Sequence, residues 1–414
     1  MSKIIFRNAR VFDGWSESLR EGCDVLVAEG VIHKISDAPL SVSGEVDVIN
    51  CNGRVLMPGF IDAHVHVYAV SANLPHVVKM PDTYLAHYAA QFMRASLDRG
   101  FTTLRDVGGA DVGLAGALRD GLLKGPRLFY GGRFLSQTGG HGDMRPGDHE
   151  LHDDHMCGCS SHTDSFGILA DGVDAVRKGV REELRRGASH IKIMGSGGVL
   201  SPTDPLECSQ FSDEEIRAAV DEAQRMGKYV AAHCLPAAAI HRSVALGVRS
   251  IEHGTLIDEQ TAAFVAERGA FVVPTLVANF SLLEHGREIG FPEVSMTKLR
   301  GVFEHALGGL EIMHRAGVKM GFGTDLIGKL HTLQSSEFEL RARVLPPIEI
   351  LRSACTVNAQ LLGQEGRLGC VREGAHADLL VVDGDPLTDI SLLSGAGERL
   401  PVIMSAGRFH KRTI

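Results

Sequence analysis

Short apolar stretches alternate with longer amphipathic segments between residues 58 and 362. Eight apolar stretches have the length of buried strands, at residues 55–61, 102–104, 127–130, 190–194, 229–232, 250–251, 271–274 and 319–321. Segments with helical periodicity lie at residues 84–99, 112–123, 173–186, 213–226, 237–246, 259–267, 296–316 and 347–354. Alternating strands and helices favour a parallel sheet, and eight repeats predict an α/β fold of the (β/α)8 TIM barrel type. A doubly wound open sheet is the alternative.

Both ends of the chain are rich in short strand patterns and have little helical periodicity. These patterns lie at residues 4–6, 11–12, 25–27, 31–35 and 46–49, and again at 377–383, 402–404 and 407–409. Because chain ends commonly lie close together, we interpret them as one small composite β-sandwich built from both termini. We therefore predict a discontinuous β-sandwich domain of residues 1–57 plus 363–414, with a barrel domain of residues 58–362 inserted into it.

Composition and charge exclude some classes of partner. The chain has 414 residues, of which 44% are hydrophobic and 22% charged, and its formal net charge is -9. No run of Lys and Arg suggests a nucleic-acid partner or an anionic membrane surface. No apolar run approaches the ~20 residues of a membrane span, and the N-terminus lacks a signal-peptide pattern. We therefore expect a cytoplasmic protein, with its eight scattered cysteines reduced.

Six polar residues lie at the ends of predicted strands, where functional groups of a (β/α)8 barrel are found. They are His64, His66, Lys192, His233, His253 and Asp325. Imidazole and carboxylate groups are common ligands of zinc and related metals, and a lysine within an apolar strand is costly unless paired, neutral or modified. Taken singly, a strand-end histidine is more often structural and a strand-end aspartate often caps a helix. Six together favour a metal site.

With these residues and the segments 58–64 and 374–383, the sequence resembles the amidohydrolase superfamily over essentially the whole chain. The resemblance implies two divalent metal ions, with zinc expected. It implies that His64, His66 and Asp325 hold one ion, that His233 and His253 hold the other, and that a carbamylated Lys192 bridges both. A bridging hydroxide would then be the nucleophile, and Asp325 would pass its proton to the leaving amine.

Three segments, 139–142, 197–202 and 355–359, resemble one branch of this superfamily. The branch contains Xaa-Pro dipeptidases (prolidases), carboxypeptidases for basic C-terminal residues and ochratoxin-type amidases. The resemblance implies cleavage of the amide bond in dipeptides or N-acyl amino acids with a free C-terminal carboxylate, most of all in Xaa-Pro dipeptides. His141 is a candidate catalytic residue that would donate a hydrogen bond to the carbonyl oxygen. His141 and Arg145 are candidate ligands of the substrate carboxylate.

Several alternatives stay open at this point. A basic side-chain specificity would need an acidic pocket, for which Asp143 and Asp204 are available. The same metal centre supports a lactonase or phosphotriesterase, whereas the six filled ligand positions disfavour a non-catalytic binding module. The His and Cys cluster at residues 152–159 fits either a lid or a second zinc site. The resemblance also implies a homo-oligomer.

Overall fold

The structure is a computed structural model that describes residues 3–77, 79–145, 166–201 and 203–414. Its strands are β1 (Lys3–Val11), β2 (Arg20–Ala28), β3 (Val31–Ser36), β4 (Val46–Asn50), β5 (Val55–Pro58), β6 (Phe60–Val65), β7 (Phe101–Asp106), β8 (Arg127–Tyr130), β9 (Phe134–Ser136), β10 (Gly167–Leu169), β11 (Ile191–Met194), β12 (Val230–Pro236), β13 (Ser250–Leu256), β14 (Phe271–Val273), β15 (Lys319–Met320), β16 (Leu379–Val382), β17 (Val402–Ser405) and β18 (Arg408–Arg412).

The α-helices of the described residues lie mostly between the parallel strands. They are α1 (Leu74–Val77), α2 (Asp82–Asp98), α3 (Val112–Arg119), α4 (Val173–Arg185), α5 (Asp213–Arg225), α6 (Ala237–Ala245), α7 (Glu259–Glu267), α8 (Leu276–His285), α9 (Glu293–Phe303), α10 (Ala306–Arg315), α11 (Ser336–Arg341), α12 (Pro347–Arg352) and α13 (Asn358–Leu361). Not one of these helices has both the length and the apolar character needed to cross a membrane.

Strands from both ends of the chain pair in one eight-stranded sheet. Its order is β18-β17-β16-β5-β1-β2-β3, and β4 pairs with β1. Strand β5 joins the two ends, because it pairs in parallel with β1 and antiparallel with β16. Apolar side chains from both ends, including Phe6, Val25 and Leu379, pack together in one buried cluster. The sheet agrees with the strand-rich ends of the sequence, whereas the two domain boundaries stay predictions.

The remaining strands are parallel and form a mixed α/β fold with the helices. One sheet has the order β10-β9-β11-β12-β13-β14-β15, and another the order β6-β7-β8. Backbone hydrogen bonds join the two sheets, from Ala63 N to Phe322 O at 2.8 Å and from Ser189 N to Tyr130 O at 2.8 Å. Asn358 Nδ2 also donates to Phe322 O at 2.9 Å. The arrangement is consistent with a TIM-like barrel and confirms the predicted α/β class.

The stretch predicted as one strand at residues 55–61 is two strands in the structure. Strand β5 belongs to the terminal sheet, and β6 begins the parallel strands. The break lies at Gly59, where a Cβ would lie 2.2 Å from Oγ1 of Thr102. The Gly59 N–H donates to Asp378 O at 2.8 Å. Strand β6 begins after this break and ends at Val65. His64 therefore lies inside the strand and not after its end.

Other elements also differ from the predicted pattern. Strands β9 and β10, of three residues each, and helix α8 have no counterpart in it. The helix predicted at 296–316 is two helices, α9 and α10. Neither Gly nor Pro stands between them at Glu304 and His305, so the sequence carries no stop signal there.

Candidate active site

The six predicted metal ligands meet at one end of the parallel strands. Strands β6, β11, β12 and β13 each contribute a side chain, His66 follows β6 directly, and Asp325 lies in the segment after β15. All six side chains line one cavity. They are His64, His66, Lys192, His233, His253 and Asp325.

The Asp325 carboxylate lies among three imidazole rings. Its Oδ1 is 3.3 Å from His64 Nε2 and 3.4 Å from His66 Nε2, and its Oδ2 is 3.9 Å from His253 Nδ1. Burial raises the pKa of this carboxyl, but the neighbouring imidazoles outweigh burial and hold the pKa well below its usual range. Donor atoms of His64, His253 and Asp325 lie within 4.8 Å of one another, so these three side chains could hold a metal ion.

The ring orientations of His64 and His66 fit metal ligands. His64 Nδ1 is 2.7 Å from Glu252 Oε2, whereas its buried Nε2 has no hydrogen-bond partner among the described residues. His66 is held in the same way, with Nδ1 2.7 Å from Gly108 O. A metal-ligating histidine typically donates its other ring nitrogen to a carboxylate or carbonyl oxygen. Both rings therefore direct Nε2 towards Asp325.

Two of the candidate ligands have unusual backbone conformations. His253 has φ 73° and Asp325 has φ 51°, in the left-handed region that residues other than glycine rarely adopt. Asp325 is fixed there by its N–H, which donates to His64 O at 2.8 Å. Strained backbone of this kind persists where the surroundings hold it, often at functional sites. His253 and Asp325 are therefore held in unfavourable backbone conformations at the candidate site.

Lys192 is buried and has no close counter-ion among the described residues. Its side chain is 2% exposed in β11, and no described carboxylate lies within ion-pair distance of its ammonium group. Burial lowers the pKa of this ammonium. Leaving an unpaired charge at this position would be costly, so the setting of Lys192 fits a group that is neutral or chemically modified.

A buried ion pair between Arg105 and Glu252 holds the ring of His64 in place. Arg105 Nη2 donates to both oxygens of Glu252 at 2.8 and 2.7 Å, and Ser250 Oγ donates to Oε1 at 2.6 Å. Both charged side chains are fully buried. Because Glu252 also contacts His64 Nδ1, the pair fixes the orientation of that ring. Neither Arg105 nor Glu252 was predicted from the sequence, although charged residues inside apolar strands were a usable signal.

His141 is held in the cavity wall by a chain of hydrogen bonds. Its ring lies 4.2 Å from that of His233, between ring centres, and its Nδ1 is 2.8 Å from Ser201 Oγ. Ser201 Oγ is also within hydrogen-bond distance of Asp204 Oδ1, and the tautomer of His141 decides whether its Nδ1 donates to Ser201 Oγ or accepts from it. Burial lowers the pKa of His141 to about 4. His141 thus reaches the predicted ligands, with Nε2 left for other contacts.

The other predicted substrate ligand does not reach the cavity. Arg145 Nε donates to Asp143 Oδ1 at 2.7 Å, and Arg145 is not among the described residues that line the cavity. Asp204, the other candidate acid, accepts from Ser201 and Gln210. The cluster at residues 152–159 lies outside the described residues.

Most of the cavity wall above the six candidate ligands is apolar. The described lining side chains from the loop after β11 and from α8 and α9 are largely aliphatic or aromatic, including Val199, Leu200, Leu282, Leu299 and Val302. Three neutral polar residues, Thr255, Thr275 and Asn279, also line it. The cavity can therefore enclose an uncharged, apolar group next to the candidate metal site.

Comparison with known proteins identifies the family. A model described as Amidohydrolase family matches residues 55–408. The chain belongs to the amidohydrolase family. The resemblance predicted from the sequence is therefore confirmed, and the protein is a hydrolase. Members of this family typically depend on a binuclear metal centre, which agrees with the candidate metal site at His64, His253 and Asp325.

A prolidase, a Xaa-Pro dipeptidase and an ochratoxinase are similar to this chain. A crystal structure of a prolidase complexed with N-methylphosphonate-L-proline is 45% identical, covers 100% of both chains and has a TM-score of 0.95. A Xaa-Pro dipeptidase with bound methionine in the active site is 30% identical, with a TM-score of 0.87 over 99% of this chain and 100% of that chain. The ochratoxinase of Aspergillus niger is 34% identical over 82% of this chain and 72% of the relative.

Proposed function

We propose that the protein is a metal-dependent amidohydrolase that cleaves the C–N bond of Xaa-Pro dipeptides and N-acyl-L-prolines. The proposal rests on its 45% identity, over both full chains, to a prolidase complexed with N-methylphosphonate-L-proline. That ligand carries a tetrahedral phosphorus on the proline nitrogen, in place of the planar amide carbon of a substrate. Amide hydrolysis passes through a tetrahedral arrangement at this atom, and enzymes bind mimics of their transition state tightly.

Two divalent ions, with zinc as the expected metal, would be held by the six clustered side chains. His64, His66 and Asp325 would hold one ion, and His233 and His253 the other. Carbamylation would turn Lys192, which is buried and has no close counter-ion among the described residues, into an anion shared by both. When bound, the ions supply Lewis acidity that activates water and polarises the scissile carbonyl group.

The chain's own residues would orient the reactants and move the proton. A carboxylate oxygen of Asp325 takes a proton from the attacking water and gives it to the proline nitrogen as the C–N bond breaks. In the tautomer that carries its proton on Nε2, His141 donates a hydrogen bond to the carbonyl oxygen, while its Nδ1 accepts from Ser201 Oγ. Glu252 keeps Nε2 of His64 directed at the site by binding Nδ1.

A carboxypeptidase for basic C-terminal residues is less well supported. Asp325 is the sole carboxylate among the described residues that line the cavity, and the proposal already assigns it to the metal site. Asp143 is paired with Arg145, and Asp204 is bonded to Ser201. Ochratoxin-type amides, lactones and phosphotriesters remain alternative substrates for the same centre.

Metal analysis combined with a substrate panel tests the proposal. We expect about two divalent ions per chain, as in other two-metal hydrolases, together with release of proline from L-Xaa-L-Pro dipeptides and N-acyl-L-prolines. Matched L-Xaa-L-Arg dipeptides serve as the control for C-terminal specificity. Absence of metal would contradict the proposed centre. Bound metal without proline release would contradict the proline specificity and direct the search to the alternative substrates.

A further inference from the structure

The cavity offers no obvious cation for the α-carboxylate of a proline substrate. Apart from the six candidate ligands and His141, the polar residues among its described lining are the neutral Thr255, Thr275 and Asn279. Leu235, two residues after His233 on β12, lies on the same face of that strand and presents an aliphatic side chain to the cavity. Strand β12 therefore provides no polar contact beyond His233.

Two cationic side chains that are adjacent in sequence to lining residues, Arg145 and Lys298, have other partners. Arg145 is paired with Asp143. Lys298 donates to three backbone oxygens, those of Gly198, Ser201 and Asp204, at 3.2, 2.9 and 2.6 Å. The residues that the structure does not describe (1–2, 78, 146–165 and 202) include no Lys or Arg. None of these residues can therefore supply an arginine or a lysine to bind the substrate carboxylate.

We infer that the cavity also accepts uncharged amides, namely N-acylpyrrolidines and N-acyl-L-prolinamides, and hydrolyses them almost as fast as N-acyl-L-prolines. This inference rests on the proposed function. The apolar wall stabilises the pyrrolidine ring and the acyl chain by burying them, and burial of a carboxylate without a partner is unfavourable. Water adds across the C–N bond, with its oxygen going to the acyl carbon and a proton to the nitrogen. The products are a carboxylic acid and a secondary amine.

A matched substrate set tests this inference on the metal-loaded full chain. N-pentanoyl-L-proline, N-pentanoyl-L-prolinamide and N-pentanoylpyrrolidine share one acyl group and one ring, and differ only at the carboxylate. We expect kcat/KM for the two uncharged compounds to lie within tenfold of that for the proline compound. A larger loss in both would overturn the inference while leaving the proposed function intact. If none of the three is cleaved by protein that contains its metals, the proposed function itself fails.

Variants at Asn279 provide a second, independent measurement. Asn279 lies on α8 in the cavity wall and is only half-buried, so a longer charged side chain can be solvated there. Asn279→Arg should raise the ratio of kcat/KM for the proline compound over the pyrrolidine compound by at least tenfold, because it adds a cation for the carboxylate. Asn279→Leu should leave this ratio unchanged. A tenfold fall of the ratio in Asn279→Leu would show that the native amide already binds the carboxylate, which would overturn the inference.

Discussion

Asp325 lies among three imidazole rings of the candidate site and has the proposed role of proton carrier. Replacement by Asn retains its size and one oxygen, but removes the group that accepts a proton. We expect Asp325→Asn to lower kcat by about 10²- to 10⁴-fold, the usual contribution of general acid-base catalysis, while much of the metal stays bound. Steady-state kinetics and elemental analysis measure the two effects separately.

A surface carboxylate supplies the matched control for that variant. Asp383 pairs with Arg54 beside the terminal sheet and is not among the described cavity residues, so Asp383→Asn should behave like the unmodified protein. Comparable activity in the Asp325 and Asp383 variants would contradict the assignment of proton transfer to Asp325.

Gly198 lies so close to His141 that a side chain does not fit. A Cβ at this position would lie 2.1 Å from Cε1 of His141. Gly198→Ala should therefore displace the ring or the loop and lower kcat by about 10²-fold, as misplacement of a reacting group by roughly 1 Å does, without loss of metal. Gly308→Ala in α10 is the control, because a Cβ there meets nothing within 4 Å. Equal activity of the two variants would remove His141 from the catalytic residues.

At the scale of residues, the sequence predicted the side chains that meet but not what holds them. His64 and His233 could be located because each lies near the end of an apolar strand, where alternation fixes its face. The partner Glu252 is 188 residues from His64, and no local pattern reports such a contact. Arg145 was predicted as a carboxylate ligand from its charge and loop, yet it pairs with Asp143, two residues before it.

At the scale of elements, helix α9 is tied to the loop after β11. Lys298 on α9 makes three bonds to backbone oxygens of residues 198–204, and that loop contains Ser201, which holds His141. Lys298→Met removes these charge-assisted bonds. We expect backbone amides of residues 197–204 to exchange at least tenfold faster, and kcat to fall.

The neighbouring Arg300 provides the control on the same helix. It pairs only with the exposed Glu293 among the described residues, and exposed pairs contribute little to stability. Arg300→Met should leave exchange in the loop unchanged. Equal exchange in the two variants would mean that Lys298 does not order the loop.

At the scale of elements, the sequence predicted a helix well where residues that favour helix ends are present. Helix α5 begins at Ser212 with the capping box that its sequence suggests. The break at Gly59 was missed, although the dipeptide Pro58-Gly59 is a local turn signal. Helix α8 was missed, although Thr275 stands at its N-cap position.

At the scale of the whole molecule, a single chain segment connects the sheet formed by both chain ends to the parallel strands. Strand β5 pairs with strands from both termini, and after Gly59 the chain continues as β6, which carries His64. The candidate site is therefore directly connected to the terminal sheet. The homo-oligomer implied by the sequence stays a prediction, which light scattering of the purified protein tests.

The candidate site joins strands from distant parts of the chain, so metal should stabilise the whole fold. A metal that binds only the folded state adds about 2.7 kcal/mol of stability at a free concentration 100 times its Kd. We expect chelation to lower the Tm measured by calorimetry, and added metal to restore it. The double variant His64→Ala/His253→Ala removes two of the three side chains whose donors lie within 4.8 Å, so its Tm should respond less to metal. An equal response in both proteins would show that the stabilising metal binds elsewhere, because the donors at this site would not be needed to hold it.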